Sequence, residues 1–159
     1  MACALLLGLS ARLSSAQGWP NGVAPPGATE HRAGRFVIAA YPSESRLAAS
    51  LLADAAGRGS FPGLPTLRDT AWIAIAPDRA TFRAWVGPSA PEWGAAIAFP
   101  ERRLIILQGR DAGADAGEPR QTFRHELAHL ALAERLGRAV PRWFDEGYAS
   151  VSYTHLTLP

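Results

Sequence analysis

The chain has 159 residues, enough for one domain with a real core and too few for two. Its basic side chains are all arginine, Lys and Arg together numbering 16 against 14 acids, and they are scattered. A net charge of +2 spread this way excludes the dense basic footprint of a nucleic-acid-binding protein.

The single cysteine, Cys3, lies in an N-terminal apolar run around Ala4 to Leu9 that ends in Ser14-Ser15-Ala16. Residues 1–16 read as a signal peptide, with small residues where a signal peptidase cuts. No positive charge precedes the run, and the alternative is an ordinary buried helix start. Cleavage would leave a chain with no cysteine, exported to the periplasm or beyond a bacterial cell, free of disulfides and of any stable membrane span. Residues 17–34, rich in Pro and Gly, read as a flexible linker in which His31 is solvated. The domain proper is expected over 35–150.

Arg35 to Tyr41 is a β-type run stopped by Pro42. Ser43 then stands where an N-cap would, before a helix whose apolar positions 47, 51, 52 and 55 recur with helical spacing. A second strand follows at Ala71–Ala76. Pro77-Asp78 leads into a short helix, Arg79–Trp85, and Trp93–Phe99 with Leu104–Leu107 forms a hairpin. Residues 109–118, with Asp111, Asp115 and Glu118, make a polar loop; a calcium loop is the alternative, but the spacing fits no calcium motif. Together these predict an α+β (mixed α/β) fold, a small and mostly antiparallel sheet with helices packed on it.

The next helix should start at Pro119 and stop at Gly137. It carries His125-Glu126-Leu127-Ala128-His129, an H-E-x-x-H pattern. Residues i and i+4 share one helix face, so both imidazoles can meet one metal ion, while Glu126 stands beside the metal as a base. Phe123, Leu127, Leu130 and Ala131 form an apolar stripe, and Leu132 and Leu136 continue the histidine face, as in a buried central helix. Catalytic zinc takes three protein ligands and keeps one position open. Downstream candidates are Glu134, Asp145, Glu146 and His155. Glu134 points away from the histidine face. Glu146 sits in a second helix opened by Pro141, ready to face the first, whereas Asp145 projects about 100° away, toward solvent or an arginine.

From Trp143 to Ser150 the sequence Trp-Phe-Asp-Glu-Gly-Tyr-Ala-Ser, after His-Glu-Leu-Ala-His, resembles the gluzincin zinc metallopeptidases, the thermolysin and aminopeptidase N-like clan. The whole chain is similar to the smaller peptidase MA-like bacterial domains. The resemblance implies one zinc ion bound by His125, His129 and Glu146, with Glu126 as general base and a zincin-like pair of site helices. The expected chemistry is peptide-bond hydrolysis by water activated on zinc. Thermolysin-type members carry an aspartate four residues after the glutamate ligand; Ser150 stands there instead, so the groups orienting the ligands must differ. Gluzincins also hold substrate as an added strand on the sheet edge before the site helix, which here implies Gly94, Ala95, Ala96, Ile97 and Ala98. The alternative is that these small residues merely pack under a helix. Trp72, Trp85, Trp93 and Trp143 read as core or loop anchors, Trp143 between the two site helices.

Val151–Pro159 breaks the helical pattern. Written as GTC TCT TAT ACA CAT CTG ACG CTG CCG, it is the translation of a transposase-type sequencing adapter. The expectation is that the natural sequence departs after about Ser150. That removes His155 as a ligand and puts the oxyanion-stabilising residue outside this chain, with Tyr148 the nearest candidate within it. The function expected is a zinc peptidase acting on peptide or protein substrates, with the sequence up to Ser150 sufficient to bind zinc but not for full turnover. The alternative is a non-catalytic zinc domain that binds peptides or serves structure.

Overall fold

Three strands, Phe36–Ala40 (β2), Ala71–Ala76 (β3) and Leu104–Gln108 (β5), are buried along their whole length. They are rich in Ile, Leu and Ala with no polar alternation, as strands covered on both faces must be. Two half-exposed strands, Thr29–Ala33 (β1) and Ala96–Phe99 (β4), flank them, giving the order β1-β2-β3-β5-β4. The computed structural model describes residues 19, 24–57, 60–88, 94–109, 117–137 and 140–154. The proposed signal segment, Trp93, Asp111, Asp115 and His155 lie outside the described residues.

The architecture is α+β, with the expected β4–β5 hairpin. The sheet is mixed, however, not mostly antiparallel. β1–β2 and β4–β5 run antiparallel, while β2–β3 and β3–β5 run parallel. The cause is the helix placed between successive strands. Ser45–Gly57 (α1) returns the chain to the end of the sheet from which β2 began, so β3 must lie parallel to it. Arg79–Val86 (α2) covers the opposite face, and Asp78 caps it by accepting from the Thr81 N–H at 2.7 Å.

One expectation fails at the N-terminal side. Thr29–Ala33 belongs to the sheet and not to a linker, closing onto β2 through Gly34-Arg35. Gly34 has φ 56°, a left-handed conformation that a two-residue hairpin turn needs at its first position. His31 is therefore a strand residue, and its Nε2 is buried instead of solvated. Trp19 also joins the fold, packing on Trp72 and donating from Nε1 to Glu30 at 2.6 Å. Ser43 lies inside a 3-10 turn, Pro42–Glu44, and provides no side-chain cap.

The larger core lies between the sheet and α1 plus Pro119–Leu136 (α3), joining Ile38, Ile73 and Ile105 to Leu51, Phe123 and Leu127. Each of these aliphatic side chains contributes roughly 1.5–3 kcal/mol by leaving water. Helix α3 spans the predicted residues. Glu118 caps its start by accepting from the Arg120 N–H, and Gly137, φ 70°, ends it. Arg142–Thr154 (α4) packs against α3 and continues four residues past Ser150, where the sequence pattern was expected to stop. Ser152 is buried there and donates to the Tyr148 carbonyl at 2.7 Å. Among the described residues no helix is long and apolar enough to cross a membrane.

Candidate metal centre

Helix α3 is fixed before its histidines begin. The Arg124 guanidinium, buried beside Asp54 of α1 at 3.3 Å, also lies over the Phe61 ring. Phe123 and Leu127 face the core, and this orientation turns His125, Glu126 and His129 toward β4 and α4. At the other end, Glu134 accepts from the N–H groups of Arg68 and Asp69 at 2.8 and 3.2 Å, tying the loop before β3 to α3. Glu134 is committed there, away from the histidines.

The structure brings His125, His129 and Glu146 together, with one ligand atom from each within 4.8 Å of the others. The two Nε2 atoms are 3.2 Å apart; Glu146 Oε2 is 3.6 Å from that of His125 and 4.0 Å from that of His129. Three ligands on tetrahedral zinc, each bonded at about 2.0–2.1 Å, lie about 3.3 Å from one another. The donor set fits zinc, the His125 separations lie within a few tenths of an ångström of that spacing, and Glu146 would need to approach His129 by about 0.7 Å.

Asp145 corrects the sequence expectation. It is partly exposed, as expected, but it also meets the first site helix: its Oδ1 lies 2.7 Å from His129 Nδ1. An Nδ1–H donated to this carboxylate leaves the Nε2 lone pair directed at the metal position. The turn of about 100° between Asp145 and Glu146 is what lets two neighbours on α4 reach opposite nitrogens of one ring. The signal was present in the sequence, as an acid next to the ligand glutamate. Only the docking of α4 on α3 shows which ring edge each acid meets.

Glu126 is 9 % exposed and accepts the Ala98 N–H on Oε2 at 2.7 Å. Burial pushes its carboxyl above the usual carboxylate range, against the lowering effects of His129 and the Ala98 N–H. Burial likewise holds His125 below the ordinary imidazole value, reinforced by His129 and opposed by Glu146 and Asp145. A His125 imidazole biased to its neutral form and a buried carboxylate made more basic are both suited to metal-assisted hydrolysis.

The residues expected to bind substrate fall on β4 and just before it, and β4 is the sheet's edge. Gln108 takes the Gly94 carbonyl with its side chain and the Ala95 carbonyl with its main-chain N–H, at 2.8 and 2.9 Å. Hydrogen bonding alternates along an antiparallel strand. With Ala95 facing β5, Ile97 and Phe99 face it too, and the main-chain groups of Ala96 and Ala98 point outward. Their methyl groups meanwhile pack toward the α3 side of the core. The side chains of Ala96 and Ala98 thus lie under a helix, while their main-chain groups lie on the sheet's outer edge. Gly94 is not part of that edge.

Two aromatic expectations change. Trp143 is 76 % exposed and meets Phe144 edge-on, so it does not pack between the site helices. Tyr148 donates its hydroxyl to the Pro62 carbonyl at 2.8 Å, which ties α4 to the loop before β3. An open cavity of about 830 Å³ lies beside the His129–Asp145 pair, bounded by Leu130, Ala133, Asp69 and Arg103, the last two ion-paired. It adjoins the centre without including His125, Glu126 or Glu146. Comparisons with protein-family models, with curated proteins and with solved structures found no match to this chain.

Proposed function

We propose that the chain is a zinc-dependent peptidase of gluzincin type, exported and acting on peptide or protein substrates. The observation that carries this reading is the combination of three ligand atoms at tetrahedral spacing with a buried carboxylate directly beside them. A purely structural zinc site has four protein ligands and no use for such a carboxylate.

His125, His129 and Glu146 would hold the ion, which when bound supplies Lewis acidity and brings water within reach of deprotonation near neutral pH. Asp145 keeps His129 in the tautomer that binds metal. Glu126 takes a proton from the attacking water and delivers it to the departing nitrogen. Water adds its hydroxyl to the carbonyl carbon, the C–N bond breaks, and a carboxylic acid and an amine leave with no change in oxidation state. The outward edge of β4 offers main-chain hydrogen bonds to an extended peptide.

The test is metal content and casein cleavage for the full-length natural protein, compared with its Glu126→Gln variant. Stoichiometric zinc in both proteins, with cleavage by the first alone, is the expected result. Equal cleavage by both refutes Glu126 as base, and zinc without cleavage by either favours a structural or peptide-binding centre.

A further inference from the structure

Ala98 presents both its main-chain groups on the outer side of β4, and its N–H is engaged by Glu126 at 2.7 Å. In an antiparallel ladder, two residues facing each other at such a position exchange two bonds. A peptide residue facing Ala98 would give its N–H to the Ala98 carbonyl and offer its own carbonyl to the Ala98 N–H. That donor is already held. We propose that the Ala98 N–H positions the Glu126 carboxylate, and that withdrawing it from the edge sets where a bound strand is cut. The attacked carbonyl faces Ala98, and the residue two places further on pairs through both main-chain bonds with Ala96.

This inference rests on the peptidase reading. Its first support is energetic. Glu126 is buried, and a hydrogen bond to a charged acceptor is stronger than one between neutral groups. A neutral peptide carbonyl that captured the Ala98 N–H would strip a buried carboxylate of a donor and return a weaker bond. The Glu126–Ala98 bond therefore persists when a strand docks. Its second support is geometric. The carbonyl denied its ladder partner is the one beside Glu126, and Glu126 follows directly on the ligand His125. Because the added strand runs antiparallel to β4, residues after the cut lie toward Ala96, whose outward groups no described residue is seen to engage. The leaving side is thus anchored by two bonds, and the acyl side by one, to the Ala98 carbonyl.

The test has two arms. In metal-free protein, amide hydrogen exchange should be about tenfold slower at Ala98 than at Ala96, although both amides point away from β5. In Glu126→Ala the difference should vanish while the β4–β5 ladder amides keep their rates; Glu126→Gln, a neutral acceptor, should fall between. Equal Ala98 rates in all three proteins overturn the positioning role. In the second arm, a decapeptide that the zinc-loaded full-length natural protein cuts out of casein is resynthesised with single N-methyl groups. Methylation two residues after the cut should raise KM about tenfold with little change in kcat. Methylation three residues after it, where the N–H points away from β4, should leave KM within about twofold. Equal effects at the two positions overturn the register. A protein that cuts no casein peptide refutes the peptidase reading, and the exchange arm then decides the Glu126–Ala98 link alone.

Discussion

Replacing Asp145 by Asn isolates the group that orients a ligand without removing the ligand itself. The Asp145 carboxylate lies 2.7 Å from His129 Nδ1 and its side chain is 36 % exposed. Asn keeps the size and can still accept a hydrogen bond through its amide oxygen, but it loses the charge that favours the metal-binding tautomer. Partners of this kind contribute about 10–100-fold to metal affinity. Solvent screening at a partly exposed carboxylate places the effect at the low end. The expected loss is therefore about tenfold in zinc affinity, or about 1.4 kcal/mol. Competition against a chromogenic chelator at pH 7.5 measures it directly. Removing the ligand, by Glu146→Gln, should cost distinctly more than removing its neighbour's charge. Ser150→Ala, at the position where thermolysin-type peptidases carry an aspartate, should change nothing. An Asp145→Asn affinity within twofold of the parent, or a larger loss from Ser150→Ala, would refute the assignment of Asp145 as the orienting group.

Ala96→Pro should raise KM for a cleaved peptide about fivefold and lower stability only slightly, because the lost N–H points away from β5 and takes no part in the ladder. An unchanged KM would remove β4 from substrate binding. Asp54→Ala should destabilise the fold by about 3 kcal/mol in urea titration, since it strands the buried Arg124 guanidinium; a loss below about 1 kcal/mol would show that the ion pair does not clamp α3 to α1. In metal-free protein His125 should contribute a loss of stability on acidification. His125 has its imidazole value lowered in the fold, so below the ordinary value near pH 6.5 the unfolded chain binds more protons and is favoured. The loss should level off below the folded value. His125→Gln should flatten the dependence of Tm on pH between about 7 and 5, and an unaltered slope would contradict this.

The elements legible in the sequence were those whose signals are local. Helix α3 has a proline at its first position, an acidic cap, helical spacing and a terminal glycine, and its boundaries match. Strand β3 is an unbroken apolar run bounded by polar residues, and it too matches. β1 was hidden because an edge strand needs no apolar alternation. Glu30, His31 and Arg32 are strand residues by virtue of pairing with Ala39, Ile38 and Val37. The sheet's mixed character likewise depends on which way α1 and α2 return the chain, which no single stretch encodes. At the centre, His125, Glu126, His129 and Glu146 were readable from spacing and resemblance. Asp145 and the Ala98 N–H were not, because each acts through a residue distant in sequence. The exposure of Trp143 shows the same limit in reverse, since a large aromatic signals burial only when a neighbour is there to cover it.

Helix α4 has few anchors of its own. Of its described side chains, Ala149 and Ser152 are the buried ones, and Tyr148 adds one bond to Pro62. Yet this helix carries Glu146 and Asp145, which on the proposed reading are a zinc ligand and the group that orients another. Occupancy of the centre and attachment of α4 are consequently one equilibrium viewed from two sides. Zinc at 100 times its dissociation constant would stabilise the attached state by about 2.7 kcal/mol, comparable to one well-buried aliphatic side chain. The ion then serves as a fastener as well as a reagent. Chelation would release the helix, starting at the surface where Trp143 and Phe144 already face water.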